Sequence, residues 1–99
     1  MAHTTTIHPG LVLLDELAER GLTQSALARH IGVLPKTINE ICRGKRGISG
    51  SMSMKLAQAL GASPQFWLNL QTAFDLKQAE AEVGAQIMRE VPQREPVAA

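Results

Sequence analysis

Four polar residues in the middle of the chain recur at i, i+3, i+4 and i+7, the spacing of one helical face: Lys36, Asn39, Glu40 and Arg43. Their side chains suit DNA, since lysine and arginine bind guanine or phosphate, asparagine binds adenine, and a carboxylate accepts from cytosine N4. The opposite face carries Ile38, Ile41 and Cys42, which predict a buried side. We therefore predict a nucleic-acid-reading helix in which Lys36, Asn39 and Glu40 contact bases.

Two short helices and a sharp turn must position this face. Thr23 is a favourable N-cap for a helix that starts at Gln24. Gly32 can adopt the positive φ that ends this helix, and Pro35 suits the first turn of the next one, where its missing N–H has no partner to lose. The small residue Ala28 lets the two helices cross closely. Such a pair is typical of DNA-binding proteins that insert the second helix into the major groove.

A basic loop, Gly44-Lys45-Arg46-Gly47, follows the second helix. It suits phosphates beside the groove, because its two glycines let the backbone approach closely. A merely solvated loop is the alternative. Helix starts also direct polar groups and amides at phosphates. The predicted phosphate contacts are Gln24, Thr37, Arg43, Lys45 and Arg46. Residues 29–46 contain five basic residues and one acidic residue, so a net charge of +4 is concentrated here in a chain whose total is +1.

A first helix is predicted from Pro9 to Arg20, with His8 as a weak cap and Gly21 as its stop. Its predicted inward side consists of Leu11, Leu13, Leu14, Leu17 and Ala18. Its outward side carries the acids Asp15, Glu16 and Glu19. This acidic side is either simply solvated or a patch that attracts a basic protein partner.

Two further helices complete a predicted five-helix, all-α domain. The fourth begins after Ser49 or Ser51 and ends at Leu60, and the fifth begins after Ser63 and ends near Val83. The predicted core face of the fifth helix is Phe66, Trp67, Leu70, Ala73 and Phe74. Leu68 and Leu76 point away from that face, which predicts a homodimer contact or, alternatively, a more deeply buried helix. Residues 7–83 form the predicted domain, with a flexible tail at 1–6 and a mostly flexible tail at 84–99. Gly84 weakens the fifth helix, and an extension of that helix through Ile87 and Met88 is the alternative.

The size and composition of the chain exclude several classes of protein. Its 99 residues suit one small domain, and its single cysteine excludes an internal disulfide framework. No apolar run reaches the length of a membrane span and no signal peptide precedes the first helix, so we expect a cytoplasmic protein with no membrane partner. His3, His8 and His30 form no pattern of a metal site or a general base. We therefore predict no enzyme activity, no metal and no cofactor.

Six residues of the two-helix unit have the spacing of the phage-repressor and Xre class of helix-turn-helix regulators, which the chain resembles: Gln24, Ala28, Gly32, Val33, Ile38 and Ile41. Three separate blocks are similar to HigA-type, or VapI-like, antitoxins: HPGLVLLDEL at 8–17, INEICRGKRGIS at 38–49 and LAQALGASPQFWLNLQTAFDL at 56–76. The resemblance covers residues 7–77. It implies a repressor of its own operon that also binds and neutralises a ribosome-dependent, mRNA-cleaving toxin of the HigB type.

Two functions are consistent with these residues. The first is an antitoxin of a type II toxin-antitoxin module, a homodimer that places its recognition helices in operator major grooves roughly 34 Å apart. Its candidate toxin contacts are Asp15, Glu16 and Glu19. The second is a plain Xre-type transcriptional regulator with no toxin partner. The residues alone predict DNA binding, and only the resemblance favours the first function. The segment Gly50-Ser51-Met52-Ser53 departs from the family, because its glycine and two serines make it weaker in helix propensity than the segment usual there.

Overall fold

The computed structural model describes residues 7–94 of the chain. Over that range the chain forms five helices and no strands, which confirms the all-α prediction. The helices are α1 (Pro9–Arg20), α2 (Gln24–Ile31), α3 (Pro35–Cys42), α4 (Gly50–Leu60) and α5 (Pro64–Glu90). The predicted flexible tail at 1–6, and the part of the predicted C-terminal tail from residue 95 onward, lie outside the described residues. None of the five helices is long and apolar enough to cross a membrane.

Short polar side chains start three of the helices, as predicted. The hydroxyl oxygens of Thr23, Ser49 and Ser63 each accept a hydrogen bond from the amide three residues later, at 3.0, 3.1 and 3.1 Å. Each such cap is worth about 1 kcal/mol. The fourth helix begins directly after Ser49, and its weak helix formers are held in part by the buried Ser53, whose hydroxyl donates to the Gly50 carbonyl oxygen at 2.6 Å.

One hydrophobic core joins all five helices. Its fully buried side chains include Leu13, Leu27, Ile38, Ile41, Leu56 and Trp67. α3 packs on both α1 and α2, while α4 packs on α2 and α5. The inner face of α3 is thus covered on several sides, and its outer face is left as the free surface.

The predicted inward side of α1 is too broad. Leu13 and Leu17 are buried, but Leu11 is 53% exposed, Leu14 is 37% exposed and Ala18 is exposed. The reason is that α1 packs on α3 through a narrow strip that begins at the buried residues Pro9 and Gly10. The exposed apolar residues form a second stripe on the same helix.

The predicted core face of α5 is partly wrong, and the helix follows the longer of its two predicted courses. Trp67 is buried as predicted, but Ala73 is exposed, and Phe66 is 41% exposed with its ring edge-on to Trp67 at a centroid distance of 5.2 Å. The helix also continues beyond Val83 to Glu90. A glycine inside a helix costs only about 1 kcal/mol relative to alanine, so Gly84 does not end α5 among the strong helix formers around it.

α1 approaches α3 unusually closely at Gly10. A Cβ atom built on Gly10 would lie 1.9 Å from the carbonyl oxygen of Ile41 and 3.0 Å from the Cα atom of Cys42. Only a residue without a side chain fits there, because the opposing atoms belong to the backbone. The orientation of α3 therefore depends on this glycine.

His8 starts α1 and also links it to α5. Its Nδ1 atom accepts a hydrogen bond from the Gly10 amide at 2.9 Å, which confirms the predicted cap. Its ring lies edge-on to Phe74 at a centroid distance of 4.7 Å. Partial burial lowers the pKa of His8 below its usual value, and the nearby carboxylate of Asp75 partly opposes this effect.

Acidification should weaken the fold through His8. A folded-state pKa below the unfolded value means that the unfolded chain takes up the proton first, so the contribution of His8 is present above about pH 6.5 and is lost as the pH falls. The loss should be at most about 1 kcal/mol, the usual value of an N-cap, because a protonated Nδ1 atom can no longer accept from the Gly10 amide and the ring is only partly buried. His8→Asn keeps a cap acceptor that does not titrate. Urea unfolding at pH 7.5 and 5.5 should therefore show a larger decrease for the wild type than for His8→Asn, and equal decreases would contradict the assignment.

Candidate nucleic-acid interface

The turn between α2 and α3 sets the angle at which α3 leaves the domain. Gly32 adopts a left-handed conformation with φ of 76°, and the amide of Val33 donates to the carbonyl oxygen of Ala28 at 2.9 Å. Ala28 is fully buried, as expected for a residue at the close crossing of the two helices. Pro35 then begins α3 at its first turn. The predicted helix-turn-helix geometry is confirmed.

The two faces of α3 are separated as the sequence predicts. Ile38 and Ile41 are fully buried and Cys42 nearly so, and burial raises the pKa of the Cys42 thiol. A protonated, covered thiol is a poor nucleophile, in agreement with a core role for this residue. On the other side lie the four predicted DNA-facing residues. Lys36, Asn39 and Arg43 are exposed, and Glu40 is half-buried.

Asn39 lies at the centre of the exposed face and contacts Gln24 at the start of α2. Its Nδ2 atom donates a hydrogen bond to Oε1 of Gln24 at 3.2 Å. Among the described residues, the second hydrogen on Nδ2 and the Oδ1 atom have no hydrogen-bond partner. These are the groups needed for a bidentate pair with adenine N7 and N6, so Gln24 orients Asn39 without occupying the atoms that would read a base.

Glu40 is paired with two cations of the same surface. Its Oε1 atom lies 2.7 Å from Nη2 of Arg46 and accepts a hydrogen bond from Nε at 2.9 Å, and Oε2 lies 4.0 Å from Nζ of Lys36. The hydrogen bond from Arg46 lowers the pKa of the Glu40 carboxyl group. The structure thus joins a predicted base-reading residue to a predicted phosphate contact, a pairing that the sequence does not reveal.

The basic loop after α3 is short and tightly held. Gly44 takes a left-handed φ of 75°, its amide donates to the Ile41 carbonyl oxygen at 3.0 Å, and the Lys45 amide donates to the Glu40 carbonyl oxygen at 2.8 Å. The side chains of Lys45 and Arg46 are exposed. Thr37 and Gln24 are half-buried at the first turns of their helices, beside this surface. All eight predicted DNA contacts thus belong to α2, α3 and the loop that follows them.

Sequence reasoning missed Gln71 of α5. Its Oε1 atom accepts a hydrogen bond from the Ile48 amide, at the end of the basic loop, at 2.8 Å. Nothing in the local pattern of α5 indicates this contact, because the two residues are 23 positions apart. Gly10 was missed for the same reason, since its close contact with α3 depends on the tertiary structure.

The predicted dimer residues lie on α5, outside the DNA-facing surface. Leu76 is 59% exposed, and Leu68 is half-buried. Toward the end of the helix, Leu76 is followed by further exposed apolar side chains, those of Val83, Ile87 and Met88. The exposed apolar surface of α5 is therefore longer than the two predicted contacts.

The three acids of α1 are not equivalent. Asp15 and Glu19 are exposed, whereas Glu16 is half-buried and forms an ion pair with Arg20. Arg20 also donates to the carbonyl oxygen of Leu60, which ties the end of α1 to the end of α4. Of these three acids, Asp15 and Glu19 form no ion pair with another described residue. The exposed Leu11, Leu14 and Ala18 lie beside them on the helix.

Comparison with known proteins identifies relatives across most of the chain. A helix-turn-helix family model matches residues 13–67. Virulence-associated protein I of Dichelobacter nodosus is 47% identical over 77 residues, which cover 77% of this chain and 71% of the relative. Antitoxin HigA-1 of Vibrio cholerae is 38% identical over 66 residues, which cover 67% of this chain and 62% of the relative.

A solved structure extends the similarity to almost the whole fold. Pseudomonas aeruginosa antitoxin HigA, determined with the higBA promoter, superposes with a TM-score of 0.86 at 42% sequence identity. The match covers 95% of this chain and all of that one. The arrangement of the five helices, and not only the two-helix unit, is therefore shared with that antitoxin.

Proposed function

Because the chain belongs to the helix-turn-helix family of HigA-type antitoxins, we propose that it binds operator DNA as a homodimer, represses its own operon and neutralises a HigB-type mRNA-cleaving toxin by direct binding. The family consists of DNA-binding regulators and antitoxins and not of enzymes. Binding to a bacterial operator takes place in the cytoplasm, which agrees with the localisation expected from the sequence.

The observation that supports operator binding is the exposed polar face of α3 beside the basic loop. Lys36 and Asn39 are aimed at solvent by a helix whose other side is buried, so they are available to base edges without any rearrangement of the core. Lys45 and Arg46 lie immediately beyond the helix, where phosphates flank a groove. The relative solved with its promoter has the same fold, which supports this docking mode for the present chain.

The proposed homodimer is supported by the exposed apolar surface of α5. Leu76, Val83 and Ile87 are exposed and recur at i, i+7 and i+11, so they form one apolar stripe along a helix that extends beyond its packing partner α4. A second copy of the chain would bury this stripe symmetrically. A two-fold dimer would also present two recognition helices to two operator half-sites.

The proposed binding of a toxin is supported by the outer surface of α1. Leu11, Leu14 and Ala18 are exposed beside the carboxylates of Asp15 and Glu19, which gives an apolar stripe next to unengaged negative charge. Interfaces combine apolar contacts that supply affinity with charges that steer and align the partner. A basic ribonuclease fits that combination.

Reversal of charge on α1 should weaken toxin binding while promoter binding is retained. Asp15→Lys combined with Glu19→Lys should reduce affinity for the toxin at least tenfold, because like charges across an interface cost on the order of several kcal/mol. Glu16 is left unchanged because its ion pair with Arg20 supports the fold. Isothermal titration calorimetry with purified toxin is the measurement. Glu82→Lys on α5 is the matched control for each single reversal, because it changes the net charge by the same amount, and an equal loss in that variant would assign the effect to net charge alone.

The alternative is a plain Xre-type regulator with no toxin partner. It is distinguished by co-purification with the product of an adjacent small open reading frame, followed by a band-shift on the shared promoter. A stable complex that shifts the promoter supports both halves of the proposal. A promoter shift by the protein alone, with no complex at any ratio of the two chains, leaves the plain regulator.

A further inference from the structure

We propose that Gln71 of α5 is a positioning residue that fixes the basic loop, residues 44–47, in the conformation that binds phosphate. This inference rests on the proposed DNA binding and adds a residue outside the helix-turn-helix to it. The side-chain amide of Gln71 is itself held in one orientation. Its Nε2 atom donates to Oδ1 of Asp75 at 2.8 Å, and because a carboxylate can only accept, Oε1 must face the Ile48 amide.

The loop backbone packs directly on this amide group. A Cβ atom built on Gly47 would lie 3.1 Å from the carbon, nitrogen and oxygen atoms of the Gln71 amide. The next residue, Ile48, donates its amide to Gln71 at 2.8 Å and has its side chain 4% exposed. The loop is therefore fastened at its C-terminal end by one polar and one apolar contact.

The N-terminal end of the loop is fastened by α3 itself. The amides of Gly44 and Lys45 donate to carbonyl oxygens of the last turn, and the guanidinium group of Arg46 binds Glu40. The two exposed cations are thus held between the end of α3 and Gln71. Without the acceptor on Gln71, the C-terminal end of the loop keeps only its apolar anchor, the buried side chain of Ile48.

An ordered loop should bind phosphate better than a mobile one, because its conformational freedom is lost before DNA arrives. Gln71 is only half-buried and contributes no apolar side chain to the core, so its removal acts mainly on the loop. This separates a positioning role from general stability. It predicts a change in the number of phosphate contacts, which the salt dependence of binding measures directly.

The test is Gln71→Met, which keeps the size of the side chain and removes its hydrogen bonds. Operator affinity should fall about tenfold, and the slope of log K against log salt should flatten by about one to two, since each lost phosphate contact changes it by about 0.9. Gln65→Met is the matched control, because Gln65 is an exposed glutamine of the same helix whose amide also pairs with a residue four positions later. It should bind the operator like the wild type.

A double-mutant cycle separates positioning from a general effect. In a Lys45→Ala, Arg46→Ala background, Gln71→Met should change affinity by less than about twofold, because the contacts it positions are already absent. The same tenfold loss in both backgrounds, or an unchanged salt slope, would overturn the proposal.

Hydrogen exchange tests the loop without DNA. The Ile48 amide should exchange at least tenfold faster in Gln71→Met than in Gln65→Met, and equal exchange rates would overturn the inference. A wild type that binds no operator while its Ile48 amide responds to Gln71→Met would contradict the proposed function and leave the role of Gln71 in the loop supported.

Discussion

Gly10→Ala should destabilise the domain by about 3 kcal/mol or more and abolish specific operator binding. The new Cβ atom would lie 1.9 Å from the Ile41 carbonyl oxygen, so α1 must move away from α3 or the last turn of α3 must distort. Overpacking of a core usually costs about 1–3 kcal/mol, and a clash with backbone belongs at the upper end, because no side chain can rotate away. Either movement changes the angle of the recognition helix.

Chemical denaturation and an operator band-shift measure the two effects separately. Gly84→Ala is the matched control, since its new Cβ atom would meet only the Cβ atom of Glu80 at 3.8 Å, an ordinary contact. That variant should be stabilised by up to about 1 kcal/mol through helix propensity. A Gly10→Ala protein with the stability of the wild type would mean that α1 and α3 do not approach as closely as the structure indicates.

The local elements of the fold were predictable because their signals lie within a few residues. Thr23, Gly32, Pro35 and Ser63 act through contacts with neighbours in sequence, and each occupies the predicted position. The faces of α1 and the length of α5 were not predictable in the same way. Whether Leu11 is covered depends on how closely a distant helix approaches, and an apolar stripe looks the same whether it faces the core or a partner.

In the candidate site, too, the features set by local sequence were predictable and the contacts between distant residues were not. Helical periodicity was sufficient to assign Lys36, Asn39 and Arg43 to the exposed face of α3. The contacts between Gln24 and Asn39, Glu40 and Arg46, and Ile48 and Gln71 span 15, 6 and 23 positions. These contacts exist because the turn, the loop and α5 converge, so only the tertiary structure reveals them. They also revise the chemistry, since Glu40 is joined to Arg46 before any DNA arrives.

Asn39→Ala and Lys45→Ala should weaken operator binding in two different ways. Within residues 7–94, one Nδ2 hydrogen and the Oδ1 atom of Asn39 have no hydrogen-bond partner, so we expect Asn39 to read a single base position. Its loss should cost about 1–3 kcal/mol on the operator and much less on an operator altered at that position. Lys45 is exposed on the loop and contacts no base in this scheme, so its loss should weaken binding to every sequence and flatten the salt slope by about one.

Titrations on the operator and on single-base variants of it, each at several salt concentrations, separate these outcomes. Lys77→Ala on α5 removes the same charge outside the interface and should change the salt slope little. Lys45 is a cleaner choice than Arg46, because Arg46→Ala also removes the guanidinium partner of Glu40, a predicted base contact. Equal losses of affinity on all sequences for Asn39→Ala would mean that Asn39 contacts phosphate and not a base. The base readout of α3 would then rest on Lys36, whose pairing with Glu40 at 4.0 Å leaves its ammonium group able to reach a guanine.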